Sequence, residues 1–89
     1  MEFNGAEVLE QMKAVFLPVV QAMVDSPEDV YIEGTATQSK TVFISIKSLQ
    51  SDSGKIIGRS GRNADALRTL LSAVGGRYRA RVILEIVEG

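Results

Sequence analysis

The 89-residue chain contains neither cysteine nor histidine. Without cysteine there is no disulfide framework, no zinc–thiolate centre and no thiol nucleophile. Without histidine the usual general base, the commonest metal ligand and every Ser–His or Cys–His pairing are missing. Long apolar runs are missing as well. The longest, Val15 to Val20, is interrupted by Pro18 and is far too short to cross a membrane. The start, Met1 to Glu10, is polar and acidic, unlike a secretory signal. These absences point away from an enzyme, a metal or cofactor protein and a membrane protein. They leave a soluble, intracellular protein, with the cytoplasm as the expected location.

What is present suits one domain, residues 1–89. The hydrophobic share is 45%, enough to fold rather than stay disordered. A domain of this size buries only a modest core. The formal net charge is −1, yet the charge is segregated. Residues 1–39 hold seven acids (Glu2, Glu7, Glu10, Asp25, Glu28, Asp29 and Glu33) against one base, Lys13. Residues 40–89 hold nine bases against four acids. Such asymmetry can gather one basic surface on an otherwise acidic molecule.

Apolar spacing gives the element order. Val8, Met12, Val15, Phe16, Val19 and Met23 recur at helical intervals, with a kink or break expected at Pro18 and an end at Asp25-Ser26-Pro27. Val30 and Ile32 alternate with Tyr31 and Glu33. Val42, Ile44 and Ile46 alternate with Thr41, Phe43, Ser45 and Lys47. Both read as strands, joined by a small polar turn from Gly34 to Lys40. Ser51-Asp52-Ser53 supplies capping side chains for a short helix ending near Ile57. A further helix runs from about Arg62 to Val74, with Leu67, Leu70, Leu71 and Val74 as its stripe and Gly75-Gly76 as its stop. A last strand, Tyr78 to Val87, carries Ala80, Val82, Leu84 and Ile86 on one face. The expectation is an α+β domain in the order α-β-β-α-α-β. Its first two strands pair antiparallel and a helical crossover makes the third parallel, giving a three-stranded mixed sheet with all helices on one face.

The chemistry concentrates in Lys55-Ile56-Ile57-Gly58-Arg59-Ser60-Gly61-Arg62. Two isoleucines anchor the end of a helix in the core. Two glycines three apart allow a sharp turn and a close approach by another backbone. Arg59 sits between them, and the next helix begins where its free N–H groups and positive dipole end face the same place. The arrangement favours a phosphodiester backbone. A P-loop is excluded, because its Gly-x-x-x-x-Gly-Lys-Ser/Thr follows a strand, whereas these glycines follow a helix. A Gly-x-x-Gly by itself is equally the mark of a tight helix–turn–helix connection.

With its flanks, Ile56-Ile57-Gly58-Arg59-Ser60-Gly61 followed by Arg62-Asn63-Ala64-Asp65-Ala66-Leu67-Arg68-Thr69-Leu70-Leu71 resembles the KH family of RNA-binding domains. The element order is that of the type II, bacterial form. Together with Asp25-Ser26-Pro27-Glu28-Asp29-Val30, the chain looks like the small stand-alone bacterial KH proteins of the KhpA type. The resemblance covers about residues 15–88, the KH core, and leaves a helical extension at about 1–14. It implies a non-enzymatic protein whose loop clamps about four nucleotides of single-stranded RNA beside an apolar groove. Gly58, Arg59, Ser60 and Gly61 would be the clamp, Lys55 and Arg62 phosphate contacts, Ile57 and Ala64 the groove lining, and Arg68 a further contact. Ala64 stands where many KH domains carry a larger aliphatic residue. The resemblance also implies a homodimer, or a heterodimer with a larger KH protein. It further implies a post-transcriptional or RNA-chaperone role linked to cell elongation and division. A protein-interaction module and a single-stranded DNA binder are the alternatives on the same fold.

Three features stand outside the loop. Arg77, Arg79 and Arg81 are expected on one face of the last strand, either extending the RNA path or solubilising an edge. Tyr31, Phe43, Ile83 and Val87 should share the other face of the sheet, a surface suited to a protein contact, with nucleic-acid stacking on Tyr31 and Phe43 as the alternative. Asp25, Glu28 and Asp29 read as a solvated helix end and turn.

Overall fold

The computed structural model describes residues 3–88. Glu2, one of the N-terminal acids, lies outside the described residues. Helix α1 (Gly5–Gln21) is followed by a 3-10 turn at Pro27–Asp29 and strands β1 (Tyr31–Ala36) and β2 (Thr41–Lys47). Helices α2 (Gln50–Ile57) and α3 (Arg62–Arg77) and strand β3 (Arg81–Val87) complete the expected α-β-β-α-α-β order.

The sheet order is β1-β2-β3, with β1 antiparallel and β3 parallel to β2. Two connections differ in kind for a physical reason. A four-residue turn, Thr37 to Lys40, can reverse the chain between β1 and β2, whereas a parallel pair needs the long α2–α3 crossover. The strand period of two decides the faces. Ile32, Val42, Ile44, Ile46 and Leu84 point to the helices and are buried, and Val82 and Ile86 pack against that core. Tyr31, Phe43 and Ile83 point away and stay 57%, 42% and 39% exposed. Register places Phe43 beside Ile83 and Lys47 between Tyr31 and Val87, as the alternation predicts. The helices therefore cover one face only.

Several boundaries move from their sequence-based positions. The α1 helix is not broken at Pro18, which lies one turn from its end, and the Pro18 carbonyl accepts the Ala22 N–H. The helix stops at Gln21, short of Asp25, because the Asp25 and Ser26 N–H groups are taken by a distant carboxylate, Asp52. The buried stripe of α1 is the narrow i, i+4 row Val8, Met12, Phe16 and Val20, while Val15 and Val19 are 54% and 42% exposed. Val8 and Met12 belong to the main core, so the stretch 1–14 set apart from the KH core contributes core residues, and the division falls inside one continuous helix. Gly34 to Ala36, expected in a turn, extend β1. Leu70 of the expected α3 stripe is exposed, whereas Leu67 and Leu71 are buried.

Gly75-Gly76 does not stop α3, which continues to Arg77. Gly75 is buried against the start of β3: an added Cβ would lie 2.5 Å from Val82 Cγ2 and 2.9 Å from the Ala80 carbonyl oxygen. A glycine is used there for close approach of helix to strand, not for a left-handed cap. Consequently Arg77 is helical, Arg79 lies in the following turn with φ 57°, and only Arg81 is on β3. The expected row of three arginines on one strand face is not formed. Among the described residues no helix is long and apolar enough to cross a membrane.

Candidate nucleic-acid interface

The loop is built outward from Ile56. This residue is fully buried and fixes the last turn of α2 to the core. Ile57, the last residue of α2, is half-buried. The chain then turns at Gly58, whose φ 78° and ψ 170° fall in a region essentially restricted to glycine. Arg59 to Gly61 form a single 3-10 turn. Within it Ser60 has φ 57° and ψ 24°, and Gly61 has φ 76° and ψ 13°, both left-handed. The Gly58 carbonyl accepts the Gly61 N–H at 3.1 Å, closing the loop on itself. α3 then opens at Arg62 with no side-chain cap.

The two glycines differ in what fixes them. A Cβ on Gly58 would meet Asn63 at 2.7 Å (Cγ), 2.8 Å (Nδ2) and 2.9 Å (backbone N). A Cβ on Gly61 would meet nothing within 4 Å. Asn63 explains the difference. Its Nδ2 donates to the Lys55 carbonyl at 2.9 Å and ties the start of α3 to the last turn of α2. Sequence reasoning missed Asn63. The available signal was a short amide side chain in the first turn after a glycine loop, where a helix end needs side-chain partners.

The expected contacts divide into three groups. Arg59, Ser60 and Arg62 are exposed, Gly58 and Gly61 are half-buried, as is Ile57, and Ala64 on α3 is buried (7% exposed). Among the described residues neither Arg59 nor Arg62 is ion-paired. Arg68 is separate, six residues or about 9 Å along α3, and its guanidinium holds Asp65 at 3.0 Å. Lys55 is also engaged: its Nζ lies 3.4 Å from Asp25 and 3.5 Å from Asp52. Part of its charge is therefore spent inside the protein.

The Asp52 carboxylate organises this corner. Expected as a cap for its own helix, it instead accepts the Asp25 N–H at 3.2 Å and the Ser26 N–H at 3.0 Å, and is 1% exposed. No side chain caps α2. Burial pushes the Asp52 carboxyl up, but the two N–H donors and Lys55 outweigh it and hold it below its usual value. Asp25 first, and then Asp52, raise the Lys55 ammonium above its usual value against some loss of solvent. The Asp25-Ser26 segment is thereby fastened to the helix that delivers the loop. Asp25 is a solvated turn acid, as expected, with its side chain 82% exposed, and it also pairs with Lys55.

Among the described residues no cluster of carboxylates could hold a metal. What the arrangement can do is present Arg59 and Arg62, neither ion-paired among the described residues, to an anion, beside a small half-apolar wall. The KhpA/KhpB KH-domain family model matches residues 13–86. The RNA-binding protein KhpA of Listeria monocytogenes is 38% identical over 77 residues, covering 86% of this chain and 100% of the relative. KhpA of Chlamydia trachomatis is 38% identical over 77 residues, 86% of this chain and 97% of its own. KhpA of Clostridium acetobutylicum is 32% identical over 76 residues, 85% of this chain and 100% of the relative. No solved structure matches the chain. The relatives are named RNA-binding proteins, and the family is non-enzymatic. With an α-β-β-α-α-β order and mixed sheet that match a KH domain, the chain belongs to the KhpA/KhpB family of KH-domain proteins.

Proposed function

We propose that the protein binds single-stranded RNA and clamps its sugar–phosphate backbone with Gly58, Arg59, Ser60 and Gly61. The observation that carries this reading is the loop conformation. A glycine-only backbone at Gly58 and a left-handed Ser60 hold the exposed Arg59 and Arg62, neither ion-paired among the described residues, beside the opening of α3. Strain of this kind persists where the surrounding structure over-determines it and where function uses it. Arg62 supplies a second phosphate contact, and Ile57 and Ala64 the apolar wall against which about four nucleotides lie. Lys55 and Arg68 are contacts of lower weight, since each is already held by a carboxylate.

Base selectivity falls to the wall, because the clamp touches only what all nucleotides share. One such domain gives modest affinity, so the working unit is a pair: a homodimer, or a heterodimer with a larger KH protein. The exposed sheet face with Tyr31, Phe43 and Ile83 is the surface offered for that contact. The role that follows is that of a cytoplasmic post-transcriptional regulator or RNA chaperone. The test replaces Arg59 and Ser60 with Asp and measures binding to short RNA and DNA oligomers. Both side chains face solvent, so the fold should survive while two new negative charges expel the phosphate. Unchanged RNA binding by the folded double variant refutes the clamp. Tighter binding to DNA than to RNA would favour a single-stranded DNA binder.

A further inference from the structure

The ten lysines and arginines sort into two groups. Lys13, Lys47, Lys55 and Arg68 each pair with a carboxylate. Among the described residues the other six are not ion-paired, and they occupy two places only. Arg59 and Arg62 lie at the loop. Lys40, Arg77, Arg79 and Arg81 lie around the two turns that lead into β2 and β3, and all four are exposed.

Backbone strain sorts the same way. Among the described residues the non-glycine positions with positive φ are Lys40 (63°), Ser60 (57°) and Arg79 (57°). One belongs to the loop and the other two to the second cluster. Asparagine, aspartate or glycine is the ordinary occupant of such a position, and a long side chain there costs about 1 kcal/mol. Nothing in the turn chemistry calls for lysine or arginine. The backbones that carry these side chains are held together, because the Arg81 N–H donates to the Lys40 carbonyl at 2.8 Å and joins the two turns. Arg77 has other employment, over the Tyr78 ring at 5.4 Å and at the negative end of α3. Solubilising an edge strand accounts for at most Arg81, the only one of the four on a strand.

We propose that Lys40, Arg79 and Arg81 form a second phosphate-binding site, which takes the same single-stranded RNA downstream or upstream of the loop. The proposal rests on the reading of the loop as an RNA clamp. α3 connects the two places, and its sixteen residues set them about 24 Å apart. That exceeds the screening length of about 8–10 Å at physiological salt, so the sites act as separate contacts joined by the nucleic acid. At about 3.4 Å per stacked nucleotide the gap is about seven nucleotides. A strand of about five nucleotides fills the loop alone, and one of about fifteen reaches both.

The test uses uridine oligoribonucleotides of five and fifteen residues, the wild-type protein, and the variant Lys40→Asn, Arg79→Asn, Arg81→Gln. Asparagine suits the left-handed positions, so thermal stability should be kept or raised. Three lost phosphate contacts reduce the slope of log K against log salt by about two on the fifteen-mer. The variant should therefore bind the fifteen-mer at least tenfold more weakly at low salt and the five-mer as wild type does. Comparing variants on one oligomer cancels the extra binding registers of the longer strand. If the variant matches wild type on the fifteen-mer, in affinity and slope, the second site is refuted while the clamp stands. Equal losses on both lengths refute a separate site. A wild type that binds neither oligomer refutes the clamp, and the second site with it.

Discussion

Substituting alanine at Gly58 and, separately, at Gly61 should give unequal losses of stability. At Gly58 two terms act together. The backbone at φ 78°, ψ 170° is closed to a residue with a Cβ, at about 1–3 kcal/mol. The new methyl would also lie 2.7 Å from Asn63 Cγ and 2.9 Å from its backbone nitrogen, so Asn63 must shift. Its hydrogen bond to the Lys55 carbonyl then weakens, for about 1 kcal/mol more. The expected total is about 3 kcal/mol. At Gly61 the conformation is left-handed but the space is empty, so the loss is about 1 kcal/mol. In a domain of this size 1 kcal/mol moves Tm by about 4–8 °C. Gly58→Ala should therefore lower Tm by roughly 12–24 °C and Gly61→Ala by roughly 4–8 °C. Thermal unfolding followed by circular dichroism reads both. Equal shifts, or a larger one at Gly61, would refute the assignment of Gly58 as the strained pivot of the loop.

Three further outcomes follow from the packing. Asp52 has a depressed carboxyl, so its contribution is present above the ordinary carboxylate range and is lost as pH falls through its folded value. Acid unfolding should therefore begin below about pH 4, and Asp52→Asn should destabilise the protein at neutral pH and flatten that acid limb in urea titrations at stepped pH. Gly75→Ala should cost about 1–3 kcal/mol in urea unfolding, since its methyl would collide with Val82 and the Ala80 carbonyl. Phe43→Ser should change monomer stability by about 0.5 kcal/mol or less while shifting sedimentation from dimer to monomer, and a wild type that sediments as a strict monomer at high concentration would remove the sheet-face contact.

The fold was legible because its patterns are local. Alternation in Val42 to Ile46 and helical spacing in Leu67 to Leu71 each place a core face without reference to the rest of the chain. The loop was legible for the same reason, since two glycines, a basic residue and apolar anchors lie within a few positions. What escaped depends on partners far away in sequence. The end of α1 is set by Asp52, more than twenty residues downstream. Gly75 looks like a helix stop in the sequence but is a contact with β3. The arginines after it looked like one strand face because the helix was expected to stop at that glycine. Tyr78 is similarly fixed from afar, its hydroxyl donating to Gln11 on α1. At the site, the Asp52–Lys55 and Asp65–Arg68 pairs were open to reading from their i, i+3 spacing on a helix, whereas the Asp25–Lys55 pair joins segments distant in sequence and was not.

The most direct measurement is to titrate the 15N-labelled protein with a five-nucleotide single-stranded RNA and map which backbone N–H signals move. The clamp predicts the largest and saturable changes at Gly58, Arg59, Ser60, Gly61 and Arg62, smaller ones at Ile57 and Ala64, and a loss of these changes as salt rises. Changes concentrated on the outer sheet face around Tyr31, Phe43 and Ile83, with the loop signals unmoved, would contradict it.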